Sequence, residues 1–377
     1  MRIGIEAQRL FRPKKHGMDI VALELIKSLH EIDRVNEYHI FVKKDADVLC
    51  LNLTYPNFIL HVMPSMPYPI WEQVYLPYYV AKLKLDVLHC TANTAPILAS
   101  CKKVVTLHDI IFLEVNPLNK GTLYQKFGNL YRKFLVPEMV KSTDMLITVS
   151  YFEQKRIKEH FHYGDDKVKV VYNGVGNHFF KQHTSEEIKG IKLKYKLPEK
   201  FILFLGNQDP KKNLPNVIRA YSKYLQGDGN LNLVVLDYPK ESLKNFVNSE
   251  GLDVRIIDKT FSPGYVNNKE LPLLIQACDI FLYPSLRESF GIPILEAMAC
   301  NVPVITSNTS SMPEVAGDAA VFVNPESVDE IVAALIRVEN NPELQTELIA
   351  KGAKRSAEFS WTSSARQSIQ IYENLVS

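Results

Sequence analysis

PSLRESFGIPILEAMACNVPVITSNTSSMPEV, residues Pro284–Val315, is the stretch that determines the interpretation of this sequence. An apolar strand is predicted directly before it at Asp279–Tyr283, and a helix (Pro293–Ala299) and a second strand (Pro303–Thr306) are predicted within it. A strand, a glycine-bearing loop and a helix in this order direct free backbone N–H groups and the helix dipole at an anion. The stretch therefore predicts an α/β unit with an anion site where its helix begins.

Two glutamates flank this predicted anion site: Glu288 lies in the loop and Glu296 lies one turn inside the helix. A carboxylate beside a bound phosphate would repel it. We therefore expect both side chains to accept hydrogen bonds from neutral hydroxyls, such as those of a ribose and a sugar ring, which predicts a nucleotide-sugar site. The alternative is an ordinary α/β crossover whose glutamates are solvated or interact with the helix end.

The composition is that of a globular protein long enough for two domains, with 377 residues of which 46% are hydrophobic and 23% charged. The opening residues, MRIGIEAQRL, lack the long apolar core of a signal peptide, and no apolar run reaches membrane-spanning length. We therefore expect a cytoplasmic protein. Neither a disulfide scaffold nor a zinc site is expected, because the cysteines are scattered: Cys50, Cys90, Cys101, Cys278 and Cys300.

The net charge of +2 gives no general case for nucleic-acid binding. Residues 1–180 carry a net +5 and residues 181–377 a net −3. A basic first half would suit an anionic partner or the surface of an anionic membrane, and an uneven scatter of solvated charges is the alternative. The aromatic-rich run Tyr68–Tyr79 allows contact with lipid or sugar rings, but we favour a helix packed on the core.

Short apolar strands alternate with helical patterns along nearly the whole chain, which predicts two doubly wound parallel sheets in series. The first sheet starts with a strand at Arg2–Glu6, and the second contains a strand at Val254–Ile257. A polar, lysine-rich connector, Lys181–Lys200, joins them. Sheets of this kind bind ligands at the carboxyl ends of their strands, here in the crevice between two domains.

Two further motifs stand at predicted strand ends. Gly206 permits a tight turn after the first strand of the second domain, and Lys212 could reach a diphosphate over the start of the next helix. The alternative is an exposed pair, Lys211 and Lys212, on a surface turn. His108 and Asp109 emerge together from a buried strand, where such a pair is more often functional than a lone histidine is; alternatively they only hold the loop.

These elements together resemble a known family. The runs Glu288–Glu296 with Ser310–Val315, Gly206-x5-Lys212-Asn213 and Thr106-x-His108-Asp109 are similar to motifs of the retaining glycosyltransferases of family 4. The resemblance covers nearly the whole chain and implies a GT-B fold, in which two doubly wound Rossmann-like domains face an interdomain cleft. It implies an acceptor-side domain at 1–180, a donor-binding domain at 181–360, and a last helix, 361–377, that crosses back to the first domain.

The resemblance also implies roles for the matched residues. Glu288 would bind hydroxyls of the donor sugar and Glu296 the ribose diol. Lys212, with Lys211 as a second cation, would contact the donor phosphates. His108 would stabilise the leaving phosphate or the sugar beside the reacting carbon. The resemblance implies Asp109 as a further catalytic candidate. It implies further donor contacts at Gly291, Phe290, Ile292, Gly206 and Gly17.

The implied reaction moves a hexose from a nucleoside diphosphate sugar to a hydroxyl of a growing cell-surface glycan, free or lipid-linked, with retention of anomeric configuration. The runs Pro210–Asn213 and Thr106–Asp109 look like those of mannosyltransferase-type members, which favours GDP-mannose and leaves a UDP-hexose open. No Asp-x-Asp motif follows a strand, so we expect catalysis without a metal or another cofactor. The leaving diphosphate would assist deprotonation of the acceptor.

Two positions depart from the family pattern. The loop after the first strand has one glycine, Gly17, where members often have two, and Asn207 stands where an arginine is frequent. These departures favour an alternative, a non-catalytic partner subunit that binds nucleotide sugar, whereas the presence of both glutamates, Lys212 and His108 favours an enzyme. A nucleotide-sugar epimerase on a similar fold is a further alternative. A phosphorylase is disfavoured because no pyridoxal-phosphate lysine motif is recognisable.

Overall fold

The computed structural model describes residues 1–15, 17–114, 123–164, 166–206, 209–227 and 229–377, with the backbone alone at 123–126. It divides the chain into two compact units, Met1–Gly174 with Ser360–Ser377, and Val175–Phe359. The first boundary therefore falls at Gly174 rather than at residue 180. Asn207, one of the two departures noted above, lies outside the described residues.

The described strands of the first unit form a parallel sheet in the order β3-β2-β1-β4-β5-β6-β7. They are β1 (Arg2–Glu6), β2 (Glu37–Lys43), β3 (Phe58–Met63), β4 (Val87–Cys90), β5 (Lys102–Thr106), β6 (Met145–Thr148) and β7 (Val168–Val170). The order reverses between β1 and β4, where Glu6 lies opposite Cys90. The carboxyl ends of strands at such a reversal are where sheets of this type bind ligands.

Helices accompany this sheet. The described ones are α1 (Gly17–Ile32), α2 (Tyr68–Ile70), α3 (Leu76–Leu83), α4 (Ile111–Glu114), α5 (Leu123–Ser142) and α6 (Tyr151–Phe161). In α1 the buried side chains recur every three or four residues, as Leu25, Ile26 and Leu29 show, because that spacing keeps them on one side of a helix. These side chains join the core under β1 and β2.

The aromatic-rich run forms the predicted core-packed helix. It consists of α2, a π-helical turn at Trp71–Tyr75 and α3, without interruption. Trp71 and Leu76 are fully buried in the core, which confirms the prediction. The opposite side is open, since Val74 and Tyr78 are each 58% exposed. The helix therefore has one core-facing side and one apolar side that faces solvent.

The described strands of the second unit also form a parallel sheet, in the order β10-β9-β8-β11-β12-β13, which reverses between β8 and β11. They are β8 (Phe201–Phe204), β9 (Asn232–Val235), β10 (Thr260–Phe261), β11 (Ile280–Tyr283), β12 (Val304–Ser307) and β13 (Ala320–Val323). The described helices are α7 (Ser185–Tyr195), α8 (Leu214–Gln226), α9 (Lys240–Glu250), α10 (Arg255–Lys259), α11 (Leu271–Gln276), α12 (Ile292–Ala299), α13 (Met312–Ala316), α14 (Val328–Glu339) and α15 (Pro342–Ala357).

The predicted strand at Val254–Ile257 is wrong, because this segment is largely the short helix α10. Asp253 favours the helix: its Oδ1 accepts the N–H of Arg255 at 2.9 Å, and its carboxylate also pairs with the Arg255 guanidinium. Only Ile256 of the apolar residues in this run is fully buried. The strand follows as the two-residue β10 at the edge of the sheet.

The predicted connector Lys181–Lys200 was also incomplete, because it contains α7. Thr184 accepts the N–H of Glu187 through its hydroxyl, and the Glu187 carboxylate accepts the N–H of Thr184. This reciprocal capping of a helix start has a sequence pattern, Thr-x-x-Glu, that predicts a helix on its own. The high lysine content of the segment obscured that pattern.

The last described helix, α16 (Trp361–Val376), lies in the first unit. Its Ala365 and Tyr372 side chains are fully buried in the core with β1 and α1. Tyr372 also forms a hydrogen bond of 2.6 Å with Nδ1 of the buried His89 on β4. Where α16 begins, Gly174 packs so closely that a Cβ there would lie 2.2 Å from the Trp361 backbone nitrogen.

Candidate functional site

A lysine and a glutamate from different loops meet at the carboxyl ends of β8 and β11. Lys212 Nζ lies 2.7 Å from Glu288 Oε1 and 2.5 Å from the hydroxyl of Tyr283, the last residue of β11. The Tyr283 hydroxyl lies 3.0 Å from the same carboxylate oxygen. The sequence predicts that Lys212 contacts the phosphates and Glu288 the sugar hydroxyls. In the structure the two side chains form an ion pair, in which the ammonium group of Lys212 neutralises the Glu288 carboxylate.

Asn213 fixes the position of this lysine. Its backbone is left-handed, with φ of 67°, and its side-chain amide donates to the carbonyl oxygens of Pro284 at 3.0 Å and Pro325 at 2.6 Å. The amide thereby connects the loops that follow β8, β11 and β13. Sequence reasoning quoted this residue without a role, although asparagine is among the few residues that tolerate this conformation.

Gly291 turns the chain into α12. Its φ of 100° belongs to the left-handed region, where a side chain is strained, and an added Cβ would lie 3.1 Å from Ile294 Cδ1. No side chain caps the first turn of α12. Pro293 has no N–H, and Ile294 donates its own to the Gly291 carbonyl at 3.0 Å, so the N–H of Ile292 is the donor that this end of α12 offers an anion.

Two serines hold the loop before α12 through hydrogen bonds. Ser311 Oγ donates to the carbonyl oxygens of Glu288 at 2.8 Å and Phe290 at 3.0 Å, and Ser310 Oγ accepts the N–H of Glu288 at 3.1 Å. The Phe290 ring is buried, and its centre lies 5.8 Å from that of Phe359. Phe290 is therefore positioned to support the loop, whereas Ile292 is the first residue of α12.

Glu296 differs from Glu288 because its side chain makes no hydrogen bond or ion pair within the described residues. It is partly buried, and burial alone raises the pKa of its carboxyl to about 8. An apolar environment disfavours the charged form. Glu296 is thus a neutral carboxyl group with unused hydrogen-bonding capacity, inside the first turns of α12.

Gly206 and Lys211 complete the loop after β8. A Cβ at Gly206 would lie 1.8 Å from Phe204 Cε1, so only glycine allows the chain to pass this ring. The backbone carbonyl of Lys211 accepts the N–H of Leu286 at 2.8 Å, which ties this loop to the one after β11. The Lys211 ammonium lies 4.0 Å from Asp209 Oδ2 and is less buried than that of Lys212.

In the first unit, His108 follows β5 as a buried, neutral imidazole. Its Nε2 lies 2.9 Å from the carbonyl oxygen of Thr91, and its backbone N–H donates to Asn93 Oδ1 at 2.6 Å. Because a carbonyl oxygen only accepts, Nε2 carries the proton and Nδ1 the lone pair. Burial lowers the pKa of His108 below its ordinary value. Asp109 Oδ1 accepts the N–H of Ile111 at 3.2 Å and so also holds the start of α4.

Gly17 is the first residue of α1 and is exposed, and an added Cβ would meet no atom within 4 Å. The fold itself therefore does not require glycine there. Asp19, two residues after Gly17 in α1, raises the pKa of His108 electrostatically, which places the start of this helix near the imidazole.

The described residues contain neither a group of three or more His, Cys, Asp or Glu side chains arranged to hold a metal ion nor a helix long and apolar enough to span a bilayer.

The candidate residues fall into two groups, one in each unit. One group, in the second unit, contains Lys212, Glu288, Gly291 and Glu296, and the other, in the first unit, contains His108, Asp109 and Gly17.

Sequence comparisons identify relatives along both units. The model described as Glycosyltransferase Family 4 matches residues 16–176, and the model described as Glycosyl transferases group 1 matches residues 185–355. The O-antigen chain mannosyltransferase B of Escherichia coli is 30% identical over 285 residues, which cover 73% of this chain and 71% of that protein. The serotype-specific mannosyltransferase WbdA of Escherichia coli is 27% identical over 374 residues, 93% of this chain but only 45% of WbdA.

A solved structure extends the likeness to the whole fold. The glycosyltransferase from Rickettsia africae ESF-5 superimposes with a TM-score of 0.77 at 18% identity, covering 100% of this chain and 98% of that one. This likeness and the two parallel sheets confirm the predicted α/β class with two Rossmann-like domains of GT-B type. With the two family models and a relative at 30% identity, the chain belongs to the family 4, group 1 glycosyltransferases.

Proposed function

We propose that this glycosyltransferase transfers mannose from GDP-mannose to a hydroxyl of a growing cell-surface glycan, with retention of anomeric configuration and without a metal ion. The observation that carries the proposal is the Lys212–Glu288 pair beside the uncapped start of α12. The relatives named mannosyltransferases support mannose as the sugar. A UDP-hexose is the alternative donor.

The diphosphate of the donor would take its positive partners from the protein. An ammonium group has three donors, and Lys212 uses two of them for Glu288 and Tyr283, which leaves the third for a phosphate oxygen. The N–H of Ile292 at the start of α12 would supply a further donor, together with the positive end of the helix dipole. Together they can stabilise the charge that develops on the leaving diphosphate without a bound cation.

The hydroxyls of the donor would be bound by carboxyl groups. Glu296, which has no protein partner, would accept from the ribose diol, and Glu288 would offer the hexose the oxygen that Lys212 does not occupy. His108 would stabilise the sugar or the leaving phosphate beside the reacting carbon. The leaving diphosphate would receive the proton of the acceptor hydroxyl, on the same face of the sugar, which retains the configuration.

The proposal is tested by thermal shift and donor hydrolysis with GDP-, UDP-, ADP- and dTDP-sugars, each with and without a chelator. We expect strong stabilisation by GDP-mannose and slow hydrolysis that the chelator leaves unchanged. Proton NMR of the product formed with an acceptor then reports the anomeric configuration. Stabilisation without turnover, even with acceptors, would favour a non-catalytic partner subunit. No response to any nucleotide sugar, or an inverted product, would contradict the proposal.

We further propose that the protein works in the cytoplasm and meets a lipid-linked acceptor at the surface of an anionic inner membrane. The exposed apolar side of the helix from α2 to α3, which includes Val74 and Tyr78, supports this contact, as does the lysine Lys82 at its end. Co-sedimentation with vesicles of anionic and of neutral lipids tests it. Equal recovery in the supernatant with both would contradict the membrane contact.

A further inference from the structure

A polar cluster at the carboxyl ends of β1 and β4, where the strand order of the first unit reverses, is not explained by the proposed donor site. Glu6, the last residue of β1, is only 2% exposed. Its Oε1 accepts the N–H of Gln8 at 3.0 Å, but its Oε2 is buried and has no partner within the described residues. Burial is the main reason that the pKa of this carboxyl is raised to about 7. A buried oxygen without a partner is costly and calls for an explanation.

A neighbouring glutamate, Glu72, serves as a comparison, because the protein itself supplies hydrogen-bond donors to its carboxylate. Glu72 is fully buried and accepts hydrogen bonds from four donors. These are the Tyr68 hydroxyl at 2.6 Å, the Thr94 hydroxyl at 2.5 Å, the Tyr131 hydroxyl at 2.6 Å and the Gln73 amide at 2.9 Å. Glu72 is therefore satisfied by the protein, whereas Glu6 keeps one oxygen unused.

Arg9 has unused donors three residues after Glu6. Its guanidinium is partly exposed and lies 5.7 Å from the centre of the Tyr68 ring. Within the described residues its side chain makes no hydrogen bond or ion pair, although it lowers the pKa of Glu6 electrostatically. An acceptor and a fork of donors thus follow the same strand end, three residues apart in sequence, without being joined to each other.

The cluster is one residue away from His108. The Thr91 hydroxyl donates to the carbonyl oxygen of Glu6 at 2.8 Å, and the Thr91 carbonyl accepts from His108 Nε2 at 2.9 Å. A molecule bound at Glu6 and Arg9 would therefore lie beside the residue that the proposed function places next to the reacting carbon.

We propose that Glu6 and Arg9 form the acceptor subsite and bind vicinal hydroxyls of the terminal sugar of the acceptor glycan. The guanidinium donates to one hydroxyl, Glu6 Oε2 accepts from its neighbour, and the Tyr68 ring packs against the C–H face of the sugar. Two buried carboxyl groups, Glu6 and Glu72, would repel an anion, so the subsite is built for a neutral diol. This inference rests on the proposed function, because only a transferase needs an acceptor.

The test compares Glu6→Gln and Arg9→Gln with Arg12→Gln, a control on the same loop whose guanidinium is also partly exposed. The probes are the methyl glycosides of mannose, glucose, galactose, rhamnose and N-acetylglucosamine, added with the donor identified above. The rate of donor consumption over glycoside concentration gives KM and kcat. Glu6→Gln preserves the size of the side chain and a carbonyl oxygen for the Gln8 N–H.

We expect at least one glycoside to accelerate donor consumption by the wild type. Glu6→Gln and Arg9→Gln should each raise KM for that glycoside by about tenfold or more while kcat changes less, the effect of losing one hydrogen bond to a charged group. The thermal shift with donor should persist in both variants, and Arg12→Gln should behave as the wild type.

Two results would overturn the inference. One is an unchanged KM in Glu6→Gln and Arg9→Gln, and the other is a wild type that no glycoside accelerates, because a subsite for hexose hydroxyls would accept one of them. Failure of the donor to bind the wild type would instead contradict the proposed function. The two failures are distinguished by the donor thermal shift together with the slow donor hydrolysis measured without a glycoside, because a non-catalytic partner subunit would bind the donor but not hydrolyse it.

Discussion

Lys212 and Glu288 neutralise each other in a nearly buried position, with 16% and 11% of their side chains exposed. Lys212→Met removes the cation and leaves the glutamate charge uncompensated, so we expect the free energy of unfolding to fall by about 2 kcal/mol. Urea denaturation measures it. The double variant Lys212→Met with Glu288→Gln should recover most of the loss, whereas Lys211→Met should change stability by less than about 0.5 kcal/mol. Equal effects of the two single lysine variants would contradict the pairing.

Glu296 predicts that donor binding depends on pH. Its carboxyl is protonated in the free protein at neutral pH, since its pKa is about 8. Hydroxyl donors of a ribose favour the ionised form, so donor binding releases a proton. Affinity for an intact nucleotide sugar should therefore rise from about pH 6 to about pH 8, by at most about tenfold per pH unit. Calorimetry across this range measures it, and Glu296→Gln should abolish the dependence; an unchanged slope in that variant would refute the assignment.

The same raised pKa has a consequence for folding. A carboxyl whose pKa is higher in the folded than in the unfolded chain contributes stability that is present below the unfolded value and is lost as pH rises through the folded value. For Glu296 this window runs from 4.5 to about 8. Glu296→Gln, which does not titrate, should therefore gain stability relative to the ligand-free wild type as pH rises through this window.

Single residues of the site were partly predictable. The motifs identified Lys212, Glu288 and His108 because each stands at a strand end in a spaced pattern. The ion pair itself was not predictable, since it joins residues 76 positions apart in sequence. Asn213 and Ser311 were missed as supporting residues for a similar reason: each acts through carbonyl groups of distant loops.

At the level of elements, the starts of two helices differ in what they require. Gly291 adopts φ of 100° before α12, whereas Gly17 begins α1 with open space around it. Gly291→Ala should lower the free energy of unfolding by about 1 to 2 kcal/mol, because alanine is strained in that conformation. Gly17→Ala should leave stability unchanged or raise it by up to about 1 kcal/mol. Denaturant titration of both variants measures the contrast, and equal losses would show that the start of α12 is not strained by a side chain.

Elements with strong periodicity were predicted closely, as Arg2–Glu6 and Pro293–Ala299 show, because burial and pattern agree there. The errors lie where local side-chain hydrogen bonds outweigh the apolar pattern. Asp253 turns an apolar run into α10, and Thr184 with Glu187 starts α7 inside a polar segment. The residues that form these hydrogen bonds are visible in the sequence, but apolar periodicity does not take short-range side-chain hydrogen bonds into account.

On the scale of the whole molecule, the second unit is continuous in sequence and the first is not. Residues 175–359 contain their own core and the donor-site candidates that follow β8 and β11. Expressed alone, this segment should unfold cooperatively and be stabilised by the donor nucleotide in a thermal-shift assay. Residues 1–174 expressed alone should not unfold cooperatively, because their core lacks α16. A cooperative transition of 1–174 equal to that of 1–174 joined to 360–377 would contradict this view.

The split of the first unit has a consequence for how the chain is made. The ribosome releases the sheet of the first unit early, but Ala365 and Tyr372, which fill its core, are translated only after the entire second unit. During that interval the nascent sheet carries an open apolar groove, and the second unit can complete its own folding first. The Val175 N–H donates to the Phe359 carbonyl at 3.1 Å. This hydrogen bond brings residue 360, the start of the late segment, back to Gly174, where the early segment ends. A chain truncated before residue 360 would thus keep the donor-site residues of the second unit. It would lack the helix that completes the core of the first unit, although most of that unit is synthesised first.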